Sequence, residues 1–324
     1  LYKLFTFISK ECKMFFGHKF SDTTEDGFYS FLNHQESSSL DQELNQNQIT
    51  NYAIRVSVAT NIGKVRGNHE DNFYLEGIYM NDIFRNDFSA TYTLQHADGM
   101  NFAVFDGMGG AAYGEVASEI AVQTMRKYEK KFKTVENVRA LDQCVSEYVN
   151  ESNQAICNML LEKHSLNGGT TFAMIHFFEN AVKLYYLGDS RIYAISNHEI
   201  TQLTRDHTLA NQKIDASIYT EEEARNSPDH HRLTLFIGAD KNDVGLNADS
   251  RPLIPYQNGL KFLLCTDGLT NMCSDEQISS ILSENYFNEA AVLVQEALKN
   301  GGEDNITCIV LELIALEDTE SNDY

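Results

Sequence analysis

The chain has 324 residues, enough for one large domain or two ordinary ones. Hydrophobic residues make up 42% and charged residues 22%, the balance of a folded protein rather than a disordered one. With 25 basic against 47 acidic side chains the formal net charge is −22, a field that repels nucleic-acid phosphates and attracts cations.

The opening residues, LYKLFTFISKECKMFFGHKF, come nearest to a membrane span. Lys3, Lys10, Glu11, Lys13 and Lys19 interrupt them, and no run reaches the ~20 apolar residues a span needs. No small-residue cleavage site follows, as a signal peptide would require. Leu1, Leu4, Phe5, Ile8, Cys12, Phe15 and Phe16 recur at helical spacing with lysines between them, which predicts an amphipathic helix. Three readings stand open for it: docking on the domain, lying on an anionic membrane surface, or an accident of the assigned gene start, since the chain begins at Leu1. Residues 21–50 are polar and aperiodic and read as a linker, so 1–50 form one amphipathic-plus-linker region.

From about Tyr52 the texture changes to short strands rich in β-branched and aromatic residues: AIRVSVAT, NFAVFD, TTFAMIHFF, AVKLYYLGD, RIYAIS, KFLLCTD and NITCIVLEL. Glu179-Asn180 and Asn197-His198 separate neighbouring strands at hairpin distance, which predicts antiparallel pairing. Gly188-Asp189-Ser190 forms a third tight connection. Three helical stripes are expected: Val116, Ile120, Thr124 and Tyr128; Val138, Leu141, Val145, Val149, Ile156, Met159 and Leu160, across one long helix or a broken pair; and Phe287, Ala290, Ala291, Val294, Ala297 and Leu298. Antiparallel strands with helices inserted in pairs predict an α+β sandwich rather than a parallel βαβ fold. The expected domain is 51–315, and 316–324 read as an acidic tail. Cys12, Cys144, Cys157, Cys265, Cys273 and Cys308 are scattered with no C-x-x-C spacing, which reads as reduced thiols of a cytoplasmic protein.

Two strands end alike. FAVFDGMGG places Asp106, and FLLCTDGLTN places Asp267, directly after a buried run and before glycine. A carboxylate there projects from a rigid base while the backbone turns away, which suits a hard oxygen ligand for Mg²⁺ or Mn²⁺. Either Asp-Gly alone reads as an ordinary turn. Asp304 in GGEDNIT adds a third carboxylate, in mirror arrangement before the last strand. In VRGNHEDNF, Arg66 precedes Glu70 and Asp71; its planar fork suits phosphate oxygens, although an exposed ion pair is the simpler reading of that loop.

VRGNHEDNF, FAVFDGMGG, GGTT (168–171), YYLGDSRIY, LTRDHTLA, LLCTDGLTN and GGEDNIT follow one another as in the protein phosphatase 2C-like family of metal-dependent phosphatases, and resemble its bacterial branch over roughly residues 52–313. The resemblance implies two packed antiparallel β-sheets flanked by helices, and metal-dependent hydrolysis of phosphoserine and phosphothreonine in proteins. It implies that Asp106 bridges two Mn²⁺ or Mg²⁺ ions, that the Gly107 carbonyl meets one of them, and that Asp267 and Asp304 complete the other. By the same resemblance Glu70 and Asp71 act through metal-bound water, Arg66 binds the substrate phosphate, and Asp189 with Asp267 holds a weaker third metal. Phosphorylated proteins, the substrates of a serine/threonine kinase, are the implied partners. Two cations about 4 Å apart make hydroxide from water near neutral pH, so no protein nucleophile is required.

Met108 stands where eukaryotic relatives carry histidine, so that proton donor is absent; a metal-bound water or His207 is the alternative donor, although His207 reads first as a loop histidine at the start of the flap. Ser190 and Thr170 lack a nucleophile elbow and an evident base. His69 replaces the usual Asn or Gln at no expected cost, residues 207–237 correspond to the variable flap, and Leu235 replaces a common flap arginine. Two competing readings remain: a phosphatase-like binding module without catalysis, and a hydrolase of small phosphoesters.

Overall fold

The computed structural model describes residues 51–80, 87–96, 98–109, 113–165, 168–178, 180–239, 246–284 and 286–316. The amphipathic N-terminal segment, the linker and residues 317–324 of the acidic tail therefore lie outside the described residues, as does Glu179.

Two antiparallel sheets carry the architecture. In the first, β11 (Glu199–Gln202), β10 (Arg191–Ser196), β14 (Lys261–Cys265), β15 (Ile306–Leu316), β1 (Asn51–Asn61) and β4 (Asp87–Leu94) lie side by side in that order. In the second the order is β12 (Asp249–Ser250), β9 (Ala181–Leu187), β8 (Phe172–Phe178), β5 (Asn101–Phe105), β2 (Asn72–Leu75) and β3 (Ile78–Tyr79), with β13 (Ile254–Pro255) also paired to β9. A two-residue pair, β6 (Gly107–Met108) with β7 (Gly169–Thr170), stands apart from both.

Successive strand residues face opposite ways, so a strand buried on both faces feeds two different cores. In β14, Phe262 and Leu264 enter the core between the sheets, whereas Leu263 and Cys265 face the helices outside. In β8, Ala173, Ile175 and Phe177 point into that central core, while Phe172 and Met174 meet the opposite helical layer. That layer is α1 (Tyr113–Phe132) with α2 (Val138–Glu162); the other side is covered by α5 (Asp267–Thr270), α6 (Asp275–Leu282) and α7 (Glu289–Lys299). The result is the expected αββα sandwich, and α2 is one continuous helix rather than a broken pair. Asn197 and His198 both have positive φ, 51° and 66°, the geometry of a two-residue hairpin turn between β10 and β11.

Two of the helical stripes need correction. Val116 is exposed; Thr124 is buried as expected, and α1 also buries Gly114, Ala117, Ser118, Ala121, Val122, Met125 and Phe132. Small residues at Gly114, Ala117, Ser118 and Ala121 let the first half of the helix lie close to the sheet, so that stretch carries little bulk for a size-based stripe to detect. Phe287 precedes α7 and is 85% exposed, while Leu293 is buried in its place. All five described cysteines are free thiols. Among the described residues no helix is long and apolar enough to cross a membrane.

Between β11 and β12 the chain builds α3 (Leu209–Asp215), α4 (Glu221–Arg225) and a 3₁₀ turn (Pro228–His231). This is the expected flap. Leu235 packs, partly buried, against the core of α1 and α2.

Candidate metal centre

Strand register gathers the acidic motifs at one end of the sandwich. Asn72 pairs Phe105, Phe172 pairs Leu187, Cys265 pairs Cys308 and Asn61 pairs Ile306. The residues just beyond these ends are Asp71, Asp106, Asp189, Asp267 and Asp304, so five separate loops bring carboxylates to the same edge. The Gly188-Asp189-Ser190 turn leaves β9 in one sheet and enters β10 in the other.

Each loop is fixed by bonds to its neighbours. Asp106 N–H donates to Thr171 Oγ1 at 2.8 Å, and the Thr171 N–H returns a bond to the Asp106 carbonyl at 2.9 Å. Thr171 Oγ1 lies 2.6 Å from Ser190 Oγ, so one hydroxyl pair ties the Asp106 strand to the Asp189 turn. Thr266 Oγ1 donates to Asp71 Oδ2 at 2.8 Å. Asn305 is the clasp of the centre: its Oδ1 accepts the Glu70 N–H at 2.7 Å, and its Nδ2 donates to the carbonyls of Ile62 and Asn68 at 2.8 and 3.0 Å.

Glycines make the close approaches possible. A Cβ on Gly107 would stand 2.2 Å from the Gly114 carbonyl oxygen and 2.4 Å from that of Glu70. A Cβ on Gly114 would reach the Glu70 carboxyl at 2.8 Å, so α1 can begin against Glu70 because its second residue is a glycine. Ser118 Oγ donates to the Glu70 carbonyl at 2.7 Å from the next turn of the helix.

Crowded, buried carboxylates resist ionisation. Burial and then the neighbouring charges of Asp71, Asp267, Asp189 and Asp304 hold Asp106 well above the usual carboxylate range. Burial, followed by Asp267 and Asp206, does the same to Asp189. Asp71 is pushed up to about 8, chiefly by burial. Asp267 is raised by burial and by Asp304, offset in part by hydrogen bonds with Asp106 and Asn271. Glu70 is also raised, first by burial.

The positive charge that Asp304 meets directly is Arg66, whose Nη2 donates to Asp304 Oδ2 at 2.5 Å. Among the described residues no three His, Cys, Asp or Glu side chains already form a closed coordination group. The donor chemistry nonetheless fits hard divalent cations: all the converging ligands are oxygens, and a doubly positive ion relieves the repulsion that raises their proton affinity. A cavity of about 410 Å³ runs from Asp189 and Asp267 to the flap, where Arg205, Arg225, His230 and His231 line it.

Structure narrows the other candidates. His207 Nδ1 accepts the Gly188 N–H at 3.0 Å, its Nε2 lies 3.2 Å from Asp249 Oδ2, and the ring stacks on Tyr186. Both nitrogens are engaged, so His207 serves as a strut for the Asp189 turn, in keeping with its reading as a loop histidine and against a donor role. Ser190 and Thr170 are buried, with hydroxyls bonded to Thr171, which agrees with their dismissal as nucleophiles. His69 is buried, with Nε2 2.9 Å from Thr60 Oγ1. Met108 pairs with Gly169 across β6 and β7. Sequence reading missed Asn305, Thr171, Thr266 and Ser118; the first three adjoin recognised motif residues, which was the available signal.

The sequence model described as Protein phosphatase 2C matches residues 78–300. The chain belongs to the protein phosphatase 2C family. It is 30% identical to the serine/threonine phosphatase stp of Listeria monocytogenes over 78% of this chain and 93% of that one. It is 31% identical to the protein phosphatase PhpP of Streptococcus pneumoniae over 80% and 98% respectively. Among solved structures of the family, the Mycobacterium tuberculosis phosphatase PstP superposes with a TM-score of 0.64 at 28% identity, covering 81% of this chain and 99% of that one. A PstP catalytic-domain structure holding two manganese ions matches over the same shares, with a TM-score of 0.62 at 28% identity.

Proposed function

We propose that this chain is a protein serine/threonine phosphatase that splits phosphoserine and phosphothreonine esters with water, giving the free hydroxyl and inorganic phosphate at a binuclear Mn²⁺ or Mg²⁺ centre. The observation that carries the reading is the convergence of one buried and four half-buried aspartates from five loops beside one exposed arginine. Asp106, with the Gly107 carbonyl, Asp267 and Asp304 would hold the two principal cations, Glu70 and Asp71 would hold water around them, and Asp189 with Asp267 would hold a weaker third. When bound, the cations supply a nucleophilic water near neutral pH and offset charge on the phosphoryl oxygens. Arg66 orients the phosphate through its fork of donors. Thr171, Thr266 and Asn305 hold the acidic loops at fixed spacing, which is what positioning of ligands requires. Substrates are phosphoproteins made by a serine/threonine kinase of the same cytoplasm, and residues 1–20 offer a contact with anionic membrane.

The deciding assay is hydrolysis of a phosphothreonine peptide beside small phosphate esters, with Mn²⁺ and after exhaustive chelation. Peptide turnover should require the metal; full turnover after chelation overturns the two-metal reading, and turnover of small esters alone overturns the protein-substrate reading. The catalytic unit is residues 51–315, so a shortened chain starting at Asn51 should keep peptide turnover. Failure of that chain to fold would make the N-terminal apolar stripe part of the core.

A further inference from the structure

We propose that Arg66 and a divalent cation compete for one carboxylate oxygen, Asp304 Oδ2, so that loading the centre and freeing Arg66 for the phosphoryl group are a single event. The inference rests on the phosphatase reading and adds a second role for the arginine. Arg66 Nη2 holds Asp304 Oδ2 at 2.5 Å. The other oxygen, Oδ1, accepts the Asn305 backbone N–H at 2.8 Å, so Oδ2 is the atom left to face a cation. A guanidinium and a doubly positive ion on the same oxygen repel each other, and one displaces the other.

The backbone is built for the arginine to leave while its loop stays in place. Lys64 N–H donates to the Gly302 carbonyl at 2.7 Å, ahead of Arg66. Asn305 binds the Ile62 and Asn68 carbonyls and the Glu70 N–H, on both sides of it. The loop carrying Arg66 is thus stapled to the segment carrying Asp304. The Arg66 side chain itself is 52% exposed, and a Cβ on the adjacent Gly67 would meet nothing within 4 Å. Rotation about side-chain bonds is enough to move the guanidinium off Asp304 and leave its donors free. A site occupied by its own arginine part of the time shows a weakened apparent affinity for metal, by the fraction of time it is open.

The test is calorimetric titration of Mn²⁺ into the full chain and into Arg66→Met, with Lys64→Met as a control for bulk charge on the same exposed loop. Competition predicts that Arg66→Met tightens one Mn²⁺ site by about tenfold, within the usual span of such couplings, while Lys64→Met changes it by less than about twofold. Peptide turnover by Arg66→Met should fall at saturating Mn²⁺, so binding and turnover move in opposite directions. Unchanged or weaker Mn²⁺ binding by Arg66→Met overturns the competition, as does equal tightening in both variants. Absence of Mn²⁺ uptake by the wild type overturns the phosphatase reading, and this inference with it; uptake without the arginine effect overturns the inference alone.

Discussion

Asp106 bears the most on whether the centre works, because it lies among four other carboxylates and shares a hydrogen bond with Asp267. Asp106→Asn should abolish nearly all turnover with the fold intact by circular dichroism, whereas Asp189→Ala should weaken only the looser third site. Wild-type turnover by Asp106→Asn at saturating Mn²⁺ would remove the residue from the centre. Met108 has no proton to give, so Met108→Ala should slow aryl phosphate and phosphothreonine peptide by similar factors. His207→Ala should lower the melting temperature and the affinity for the third metal, since it removes the strut under Gly188 and the stack on Tyr186. A loss confined to the peptide would instead restore His207 as proton donor. Asp106 and Asp267 stood out in the sequence as candidate ligands because a carboxylate after a buried run and before glycine leaves a local trace, whereas the roles offered for Glu70, Asp71 and Asp189 came from the family resemblance. Asn305 left less, since its partners, Ile62, Asn68 and Glu70, lie more than 230 positions away.

The strands were the most readable elements, and the reason is their double burial. Phe262 and Leu263 serve opposite cores, so almost every residue of β14 must be apolar and the run stands out. The first half of the buried face of α1 is glycine, alanine and serine, with Val122, Met125 and Phe132 only further on, so close approach rather than bulk defines the stretch where Val116 turns outward. Close approach recurs at Gly268, in the first turn of α5. A Cβ there would stand 1.9 Å from the Asn305 carbonyl oxygen, and backbone cannot rotate out of the way as a side chain can. Gly268→Ala should therefore cost about 3 kcal/mol of stability, at the upper end of overpacking changes, and displace Asn305 and Asp304 together. Scanning calorimetry and Mn²⁺ titration read the two effects; an unchanged melting temperature would show that the helix start can shift at little cost.

Across the whole molecule, buried carboxylates set how stability responds to acidity and to metal. A carboxyl whose folded pKa is raised leaves stability intact below its unfolded value near 4, and stability is lost as pH rises through the folded value. For Asp71 that window runs from about 4 up to about 8. Asp106, Asp189 and Asp267 shift in the same direction. Buried His176 is pushed the other way, down to about 4 by burial, but it is untouched by metal and cancels when loaded and chelated samples are compared. The Mn²⁺-induced rise in melting temperature should therefore grow between pH 5 and about pH 8.5; a shift that stays flat or shrinks over that range counts against a carboxylate-only centre. The flap has a separate consequence. Side chains of α3, α4 and the 3₁₀ turn belong to none of the three apolar cores, although their loop borders the cavity beside Asp189 and Asp267. Ala210, Ala224 and Asp229 are the buried residues of these elements, so mutation at the remaining positions is screened more by what the enzyme meets than by whether it folds. Lineages can thus drift apart in their targets along this one segment while inheriting the same hydrolytic engine unchanged.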